Sequence, residues 1–207
     1  MATAISTSNR KSAKKGKWTE TIIKQILNKL GLEIIKPIWV NPSECPNYSM
    51  NCDIQLPHLK TFVEIKSSLR DAGLFKIFTQ AKAFKKAFPN FKFIVIVTTQ
   101  TSDPNERYKA YLLSNPYIDD VLYIHKDEMG NTITEQKEFL KNSLNIYFED
   151  LMMKHIKSES IKINKSKDLD FEDRYVPFLT KPMKNLMDRK KINLNSFRET
   201  GKIELVL

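Results

Sequence analysis

The feature that most constrains the fold is a run of aromatic and β-branched residues near the middle of the chain. Residues 91–98 read Phe-Lys-Phe-Ile-Val-Ile-Val-Thr, without the polar alternation of a half-exposed strand. Such a run is typical of a strand that is covered on both faces of its sheet. Its apolar centre, Phe93–Val97, is far shorter than the roughly 18 residues that a membrane span needs. We therefore expect an α/β fold and no membrane partner.

Periodicity and breaker residues predict the remaining elements. Apolar residues at helical spacing follow Trp18, and Gly31 is placed to cap that first helix. The full prediction is a helix over 18–30, a strand over 32–40 that Pro37 weakens, a loop over 41–51, strands over 52–56 and 61–66, a helix over 74–88, a strand over 91–98, a helix over 106–113, a strand over 121–124, a helix over 135–156 and a weak edge strand over 203–207. This order predicts a central mixed sheet flanked by helices.

Composition shifts divide the chain into three parts. Residues 1–16 are rich in Ser, Thr and Lys and predict a flexible basic tail. Residues 17–156 hold the periodic elements and predict the core, and residues 157–207 form a C-terminal extension for DNA contacts or dimerisation. Two cysteines are too few for a disulfide-dense secreted scaffold or a four-cysteine zinc site. No apolar run follows the basic N-terminal residues, so we expect a cytoplasmic protein.

The charge balance points to a class of partner. The chain carries 34 Lys and Arg against 24 Asp and Glu, which gives a net charge of +10 and a pI of about 9.4. A basic protein gains affinity for a polyanion because phosphate contacts release counterions. No P-loop sequence is present. Nucleic acid is therefore the expected partner, although many small basic proteins bind none, and charge does not tell whether the polymer is only held or also cut.

A pair of acids and a lysine define the candidate site. If residues 57–60 form the turn, Leu56 pairs with Thr61 and Asp53 falls opposite Glu64, with Cβ atoms about 4.5–5.5 Å apart. Two acids at that distance repel each other unless a cation such as Mg²⁺ lies between them. Lys66 shares a strand face with Glu64, where it can orient a nucleophile or stabilise developing charge. The alternative is a Glu–Lys pair on a solvated strand face.

Glu20 supplies a third acid. Its spacing to Ile23 and Leu27 predicts a place on the apolar stripe of the first helix, which is costly for a carboxylate without a cation. The alternative is an acid in the first turn, where the helix dipole favours negative charge. The two interpretations are compatible.

The order of these motifs resembles that of the PD-(D/E)XK nuclease superfamily. Helical Glu20 after Gly16-Lys-Trp-Thr, then Asp53, then Glu64-Ile-Lys66, then a helix with Gln80 match its pattern over residues 18–98. The superfamily includes type II restriction endonucleases, Holliday-junction resolvases and related repair and phage nucleases. One departure is Cys52, which stands where many members have proline.

The resemblance implies a restriction-endonuclease-like core and a set of roles. Asp53 and Glu64 would bind Mg²⁺ with Glu20 as an accessory acid, Lys66 would be the catalytic lysine beside the attacking water, and Gln80 the polar residue of the following helix. The implied reaction is magnesium-assisted hydrolysis of phosphodiester bonds in double-stranded DNA.

We expect a type II restriction endonuclease acting as a homodimer, since cutting two strands needs two active sites. Such an enzyme has a DNA methyltransferase as its genetic partner. The alternatives are a junction resolvase or repair nuclease on the same core, or a non-catalytic DNA-binding protein.

Further residues are expected to contact DNA. Ser67, Ser68 and Arg70 directly follow the lysine strand and are placed to meet the strand that is cut. Four lysines around the next helix could bind backbone phosphates, or form an ordinary solvated helix face; they are Lys76, Lys82, Lys85 and Lys86.

Overall fold

The computed structural model describes residues 17–35, 38–100, 103, 106–164 and 186. The predicted basic tail over 1–16, the edge strand over 203–207 and most of the C-terminal extension lie outside the described residues. Their predicted roles stay predictions. The division of the chain at residues 16 and 156 likewise stays a prediction.

The described residues form an α/β fold around a four-stranded mixed sheet. Helix α1 spans residues 17–29. The other elements, in chain order, are β1 (Ile54–Leu56), β2 (Thr61–Lys66), α2 (Asp71–Ala87), β3 (Lys92–Gln100), α3 (Arg107–Ser114), β4 (Asp120–His125) and α4 (Ile133–Asn164). The strands lie in the order β1-β2-β3-β4, with β1 antiparallel to β2 and the later pairs parallel. The predicted mixed sheet is confirmed.

Helices cover both faces of the sheet, as the apolar run of β3 predicts. Alternate β3 side chains belong to two separate hydrophobic clusters, because successive residues of a strand point to opposite faces. Ile94 and Ile96 pack with α1 and α4, and the described residue Leu186 joins this cluster. Phe93 and Val95 pack with α2 and α3 on the other face. None of the helices in the described part of the chain combines the length and apolarity needed to cross a bilayer.

The predicted register of the hairpin is confirmed over three pairs. Ile54 pairs with Val63, Gln55 with Phe62 and Leu56 with Thr61. A 3₁₀ turn over Pro57–Leu59 joins the strands, and the residue after it, at φ 47°, adopts the left-handed conformation that closes the turn.

The predicted strand over 32–40 is wrong. Among residues 32–35 and 38–40, which the structure describes, only isolated bridges form, between Ile35 and Gln55 and between Val40 and Met50. Pro37 has no N–H to donate to a ladder, which works against a continuous strand through this segment. The second bridge turns residues 40–50 into a short hairpin within the predicted loop.

The boundaries of two helices, α2 and α4, differ from the prediction by two residues or more at one end or both. Helix α2 starts at Asp71 rather than residue 74, because an acid in the first turn is stabilised by the helix dipole before the apolar pattern begins. Helix α4 starts at Ile133, where Thr132 Oγ1 accepts the Glu135 N–H at 3.2 Å and Glu135 Oε2 accepts the Thr132 N–H at 2.8 Å. This reciprocal pair is a capping box. Helix α4 also continues to Asn164, past its predicted end at residue 156.

Candidate active site

Glu64 and Lys66 lie together at the carboxyl end of β2. Both project to the sheet face that α2 covers, while Val63 and Ile65 pack in the cluster on the opposite face. The Lys66 ammonium donates a hydrogen bond to Glu64 Oε1. The Glu64 side chain is only 4% exposed, against 25% for Lys66. The strand therefore holds a buried acid against an amine that solvent can still reach.

Asp53 joins this pair by a route that the sequence did not predict. The regular ladder ends at Ile54, and the Asp53 N–H bonds to Val63 O at 3.1 Å, so the predicted direct pair of Asp53 with Glu64 is not formed. Instead, Asp53 Oδ2 accepts the Ile65 N–H at 2.6 Å. The carboxylate is thus fixed by the backbone amide that lies between Glu64 and Lys66.

The two acids share one electrostatic environment. Burial raises the pKa of Asp53, against the lowering effects of the Ile65 N–H and the Lys66 charge. Burial also raises the pKa of Glu64, and the charge of Asp53 adds to that rise while Lys66 opposes it. Burial, with the charges of Glu64 and Asp53, raises the pKa of the Cys52 thiol to about 12. A local excess of buried negative charge is the kind of environment that a cation relieves.

Gln80 completes the contacts of Glu64. It projects from α2 and is 1% exposed. Its Nε2 donates to Glu64 Oε2 at 2.8 Å and to the Asn51 carbonyl oxygen. Each Glu64 oxygen therefore has a donor, one from Lys66 and one from Gln80. The glutamine that the motif pattern singled out is part of the site rather than of a solvated helix face.

Glu20 contacts Lys24 rather than the residues of this network. Its side chain is 37% exposed and pairs with Lys24 at 2.5 Å, so it is not on the buried apolar stripe that its spacing predicts. Its charge still contributes to the raised pKa of Asp53. Among the residues that the structure describes, no three Asp, Glu, His or Cys side chains are grouped to share one ion. The metal role of Glu20 stays a prediction.

The donor set fits magnesium. Mg²⁺ uses oxygen ligands and keeps several waters, so one or two protein carboxylates suffice. Asp53 and Glu64 supply two, and the Gln80 Oε1 atom is buried with no hydrogen-bond partner among the described residues. Because the Gln80 amide contacts Glu64, this oxygen is a further candidate ligand for a hard cation held by the two acids. The residues present therefore fit the ion that the resemblance implies.

The loop after β2 is held in place by the end of β3. Thr99 donates through its backbone N–H and its hydroxyl to Ser67 O, at 2.9 and 2.7 Å. Gln100 Oε1 accepts the Leu69 N–H at 2.7 Å. Leu69 is buried, while Ser68 and Arg70 are exposed and Ser67 is partly so. The loop thus presents its predicted DNA-contacting side chains from a fixed backbone.

The four lysines of α2 lie in different surroundings. The charge of Lys76 lowers the pKa of Asp53, so this lysine acts on the site electrostatically. The other three are paired within the protein: Lys82 with Glu44 at 2.5 Å, Lys86 with Glu44 at 3.2 Å and Lys85 with Asp119 at 3.0 Å. Contact with phosphates would replace those pairs. Their DNA role stays a prediction.

Sequence reasoning missed several residues that support the site. Gln100 and Thr99 hold the loop, and Thr19 is fully buried with its hydroxyl 3.5 Å from that of Thr98, at the contact of α1 with β3. The one signal in the sequence is the change from apolar residues to Thr-Thr-Gln at the end of β3. It marks the edge of the sheet but does not reveal partners 31 or 79 residues away.

No family model matches the chain, and no curated protein matches it. The resemblance to the PD-(D/E)XK superfamily therefore stays a prediction from motif order. Any function assigned to the chain has to rest on the geometry of Asp53, Glu64 and Lys66.

Proposed function

We propose that this protein is a magnesium-dependent DNA endonuclease. The observation that carries the proposal is the convergence of one buried acid, Glu64, and one partly buried acid, Asp53, with Lys66 at the end of β2. Asp53 is bonded to the Ile65 amide, and Glu64 is bonded to Lys66. Two acids that are shielded from solvent next to each other lower the stability of the fold. Acids with raised pKa values of this kind cluster at functional sites.

Each residue has a role in phosphodiester hydrolysis. Asp53 and Glu64 would hold the ion, and magnesium, when bound, supplies Lewis-acid activation of phosphate and water. The backbone and side-chain donors fix both carboxylates before substrate arrives, so little reorganisation is needed. Lys66 is an ammonium with three donors, one of which is used on Glu64; the others can align the attacking water or neutralise a phosphate oxygen.

Double-stranded DNA is the proposed substrate. The net charge of +10 favours a polyanion, and Ser68 and Arg70 are exposed directly after the lysine strand. The finer part of the proposal is a type II restriction endonuclease that acts as a homodimer beside a cognate methyltransferase, because cutting both strands requires two active sites.

The test is cleavage of linear plasmid and of four-way junctions by purified protein, with Mg²⁺ or with EDTA. We expect cleavage only with Mg²⁺. Asp53→Ala and Lys66→Ala should each reduce the rate by about 10²–10⁴-fold while DNA binding persists. Asp127→Ala, at an exposed acid away from the site, is the control and should cut normally.

The cleavage products distinguish a restriction endonuclease from a junction resolvase. Discrete plasmid fragments support a restriction endonuclease, and selective cutting of junctions supports a resolvase. Absence of cleavage on every DNA with both Mg²⁺ and Mn²⁺ would overturn the proposal and leave a non-catalytic DNA-binding protein.

A further inference from the structure

We propose that Gln80 Oε1 is the third protein oxygen of the cation site, beside Asp53 and Glu64. This assignment rests on the proposed function, since it concerns the ion that the nuclease would use. It differs from the pattern implied by the resemblance, in which Glu20 is the third oxygen donor.

The orientation of the Gln80 amide is fixed by its partners. Nε2 lies between two acceptors, Glu64 Oε2 and Asn51 O, and only the amide nitrogen can donate to them. The flipped amide would place an oxygen against a carboxylate and a carbonyl, which is repulsive. The oxygen is therefore the free end of this amide, on the same carbon as a nitrogen 2.8 Å from the Glu64 carboxylate.

That oxygen is left without a donor. It is buried with no hydrogen-bond partner among the described residues, in a side chain that is 1% exposed. Native structures leave few buried polar atoms unpaired, and an ion or water accounts for many of the exceptions. The two groups that contact the amide nitrogen, Glu64 Oε2 and Asn51 O, are acceptors, and the Lys66 ammonium donates to Glu64 Oε1 and not to Gln80 Oε1. A cation satisfies all of these oxygens together.

Charge and position favour Gln80 over Glu20. Two carboxylates and a neutral amide carry a charge of −2, which balances a divalent ion, and amide oxygens are ordinary ligands of hard cations. Glu20 is half-exposed and paired with Lys24. The Gln80 amide nitrogen already donates to Glu64. It also donates to the carbonyl oxygen of Asn51, which lies two residues before Asp53 in the chain.

The experiment measures Mg²⁺ and Mn²⁺ affinity by calorimetry on the full chain, for wild type and Gln80→His. Imidazole nitrogen is a better ligand for Mn²⁺ than for Mg²⁺. If residue 80 meets the ion, Gln80→His should raise the preference for Mn²⁺ over Mg²⁺ by about 10-fold or more. If Gln80 only positions Glu64, both affinities should fall by the same factor, and an unchanged ratio would overturn the inference.

Gln55→His is the matched control. Gln55 is also buried with an unpartnered Oε1 among the described residues, but it lies on β1, where it pairs with Phe62 and bridges to Ile35. It should leave both affinities as in wild type.

A second variant keeps the inference testable if Gln80→His unfolds. Gln80→Glu keeps an oxygen at this position but removes the donor to Glu64. The variant should bind Mn²⁺ more tightly than wild type does. Weaker binding would overturn the inference. If wild type itself binds neither ion, the metal site of the proposed function fails as well. If wild type binds the ions but Gln80→His leaves the ratio of Mn²⁺ to Mg²⁺ affinity unchanged, only the role of Gln80 is overturned and the metal site of the proposed function stands.

Discussion

At the scale of single residues, the ionised acids of the site lower the free energy of unfolding. Burial raises the pKa of both Asp53 and Glu64, so keeping them ionised in the fold opposes folding at neutral pH. Lys66, the Ile65 N–H and Gln80 offset part of this cost. A bound cation would offset more, which makes stability in the presence and absence of metal a direct readout of the site.

Asp53→Asn should stabilise the metal-free protein at pH 8. The carboxyl has a folded-state pKa above its ordinary 3.8, so the stability it contributes in the protonated form is lost as the pH rises through that pKa. Asparagine keeps an oxygen for the Ile65 N–H and carries no charge. In EDTA, Tm should rise by a few degrees, since 1 kcal/mol is worth about 2–4 °C in a domain of this size.

The gain from Asp53→Asn should shrink as the pH falls toward and below the wild-type pKa. Asp127→Asn, at an exposed acid, is the control and should leave Tm unchanged at both pH values. A lower Tm for Asp53→Asn at pH 8 in EDTA would contradict this account of the site.

The two cysteines should differ in reactivity toward a thiol reagent at pH 8. Cys52 is 1% exposed and its pKa is raised to about 12, so almost no thiolate forms, whereas Cys45 is exposed. We expect one fast equivalent in the native protein and a second only in guanidinium chloride. Cys45→Ser, as a control, should abolish the fast phase. Two fast equivalents in the native wild type would mean that the segment before Asp53 is not packed as described.

At the scale of elements, the end of β3 acts as the support of the loop after β2. Gln100 is buried and bonds to both backbone groups of Leu69, accepting at 2.7 Å and donating at 3.4 Å. Gln100→Ala should lower the free energy of unfolding by about 1–3 kcal/mol, because it leaves a buried amide N–H unpaired. Denaturant titration gives the free energy, and hydrogen exchange at Leu69 should become faster.

Gln25→Ala, at an exposed glutamine of α1, is the control for the loop. It should change neither the unfolding free energy nor the exchange at Leu69. If Gln100→Ala behaved in the same way, the loop would not depend on β3.

Local patterns sufficed for most elements and for the hairpin register. Alternation along β2 placed Glu64 and Lys66 on one face, and the length of the turn fixed which residues of β1 lie opposite β2. The position of Asp53 could not be predicted in this way, because it lies beyond the last regular pair of the ladder and its carboxylate accepts the Ile65 N–H. The contact between Gln80 and Glu64 depends on how α2 packs across the sheet, which periodicity does not specify.

At the scale of the whole molecule, excess positive charge should govern DNA affinity. Removing one phosphate-binding side chain reduces the slope of log K against log salt concentration by about one. We expect Arg70→Ala, at an exposed residue beside the site, to produce this change in a titration of duplex DNA against salt. Lys109→Ala, whose ammonium pairs with Glu106 at 2.8 Å on α3, is the control and should leave the slope unchanged. An unchanged slope for Arg70→Ala would remove the loop from the DNA interface.

In the proposed nuclease, Asp53 and Glu64 bind one divalent ion beside Lys66. The most direct measurement is an anomalous difference map from crystals of the full chain grown with Mn²⁺, which replaces Mg²⁺ and scatters anomalously. The account predicts a single strong peak about 2.0–2.3 Å from an oxygen of each acid, close to the range of oxygen distances for such ions. A map with no peak between the two carboxylates, or with the ion bound elsewhere, would contradict it.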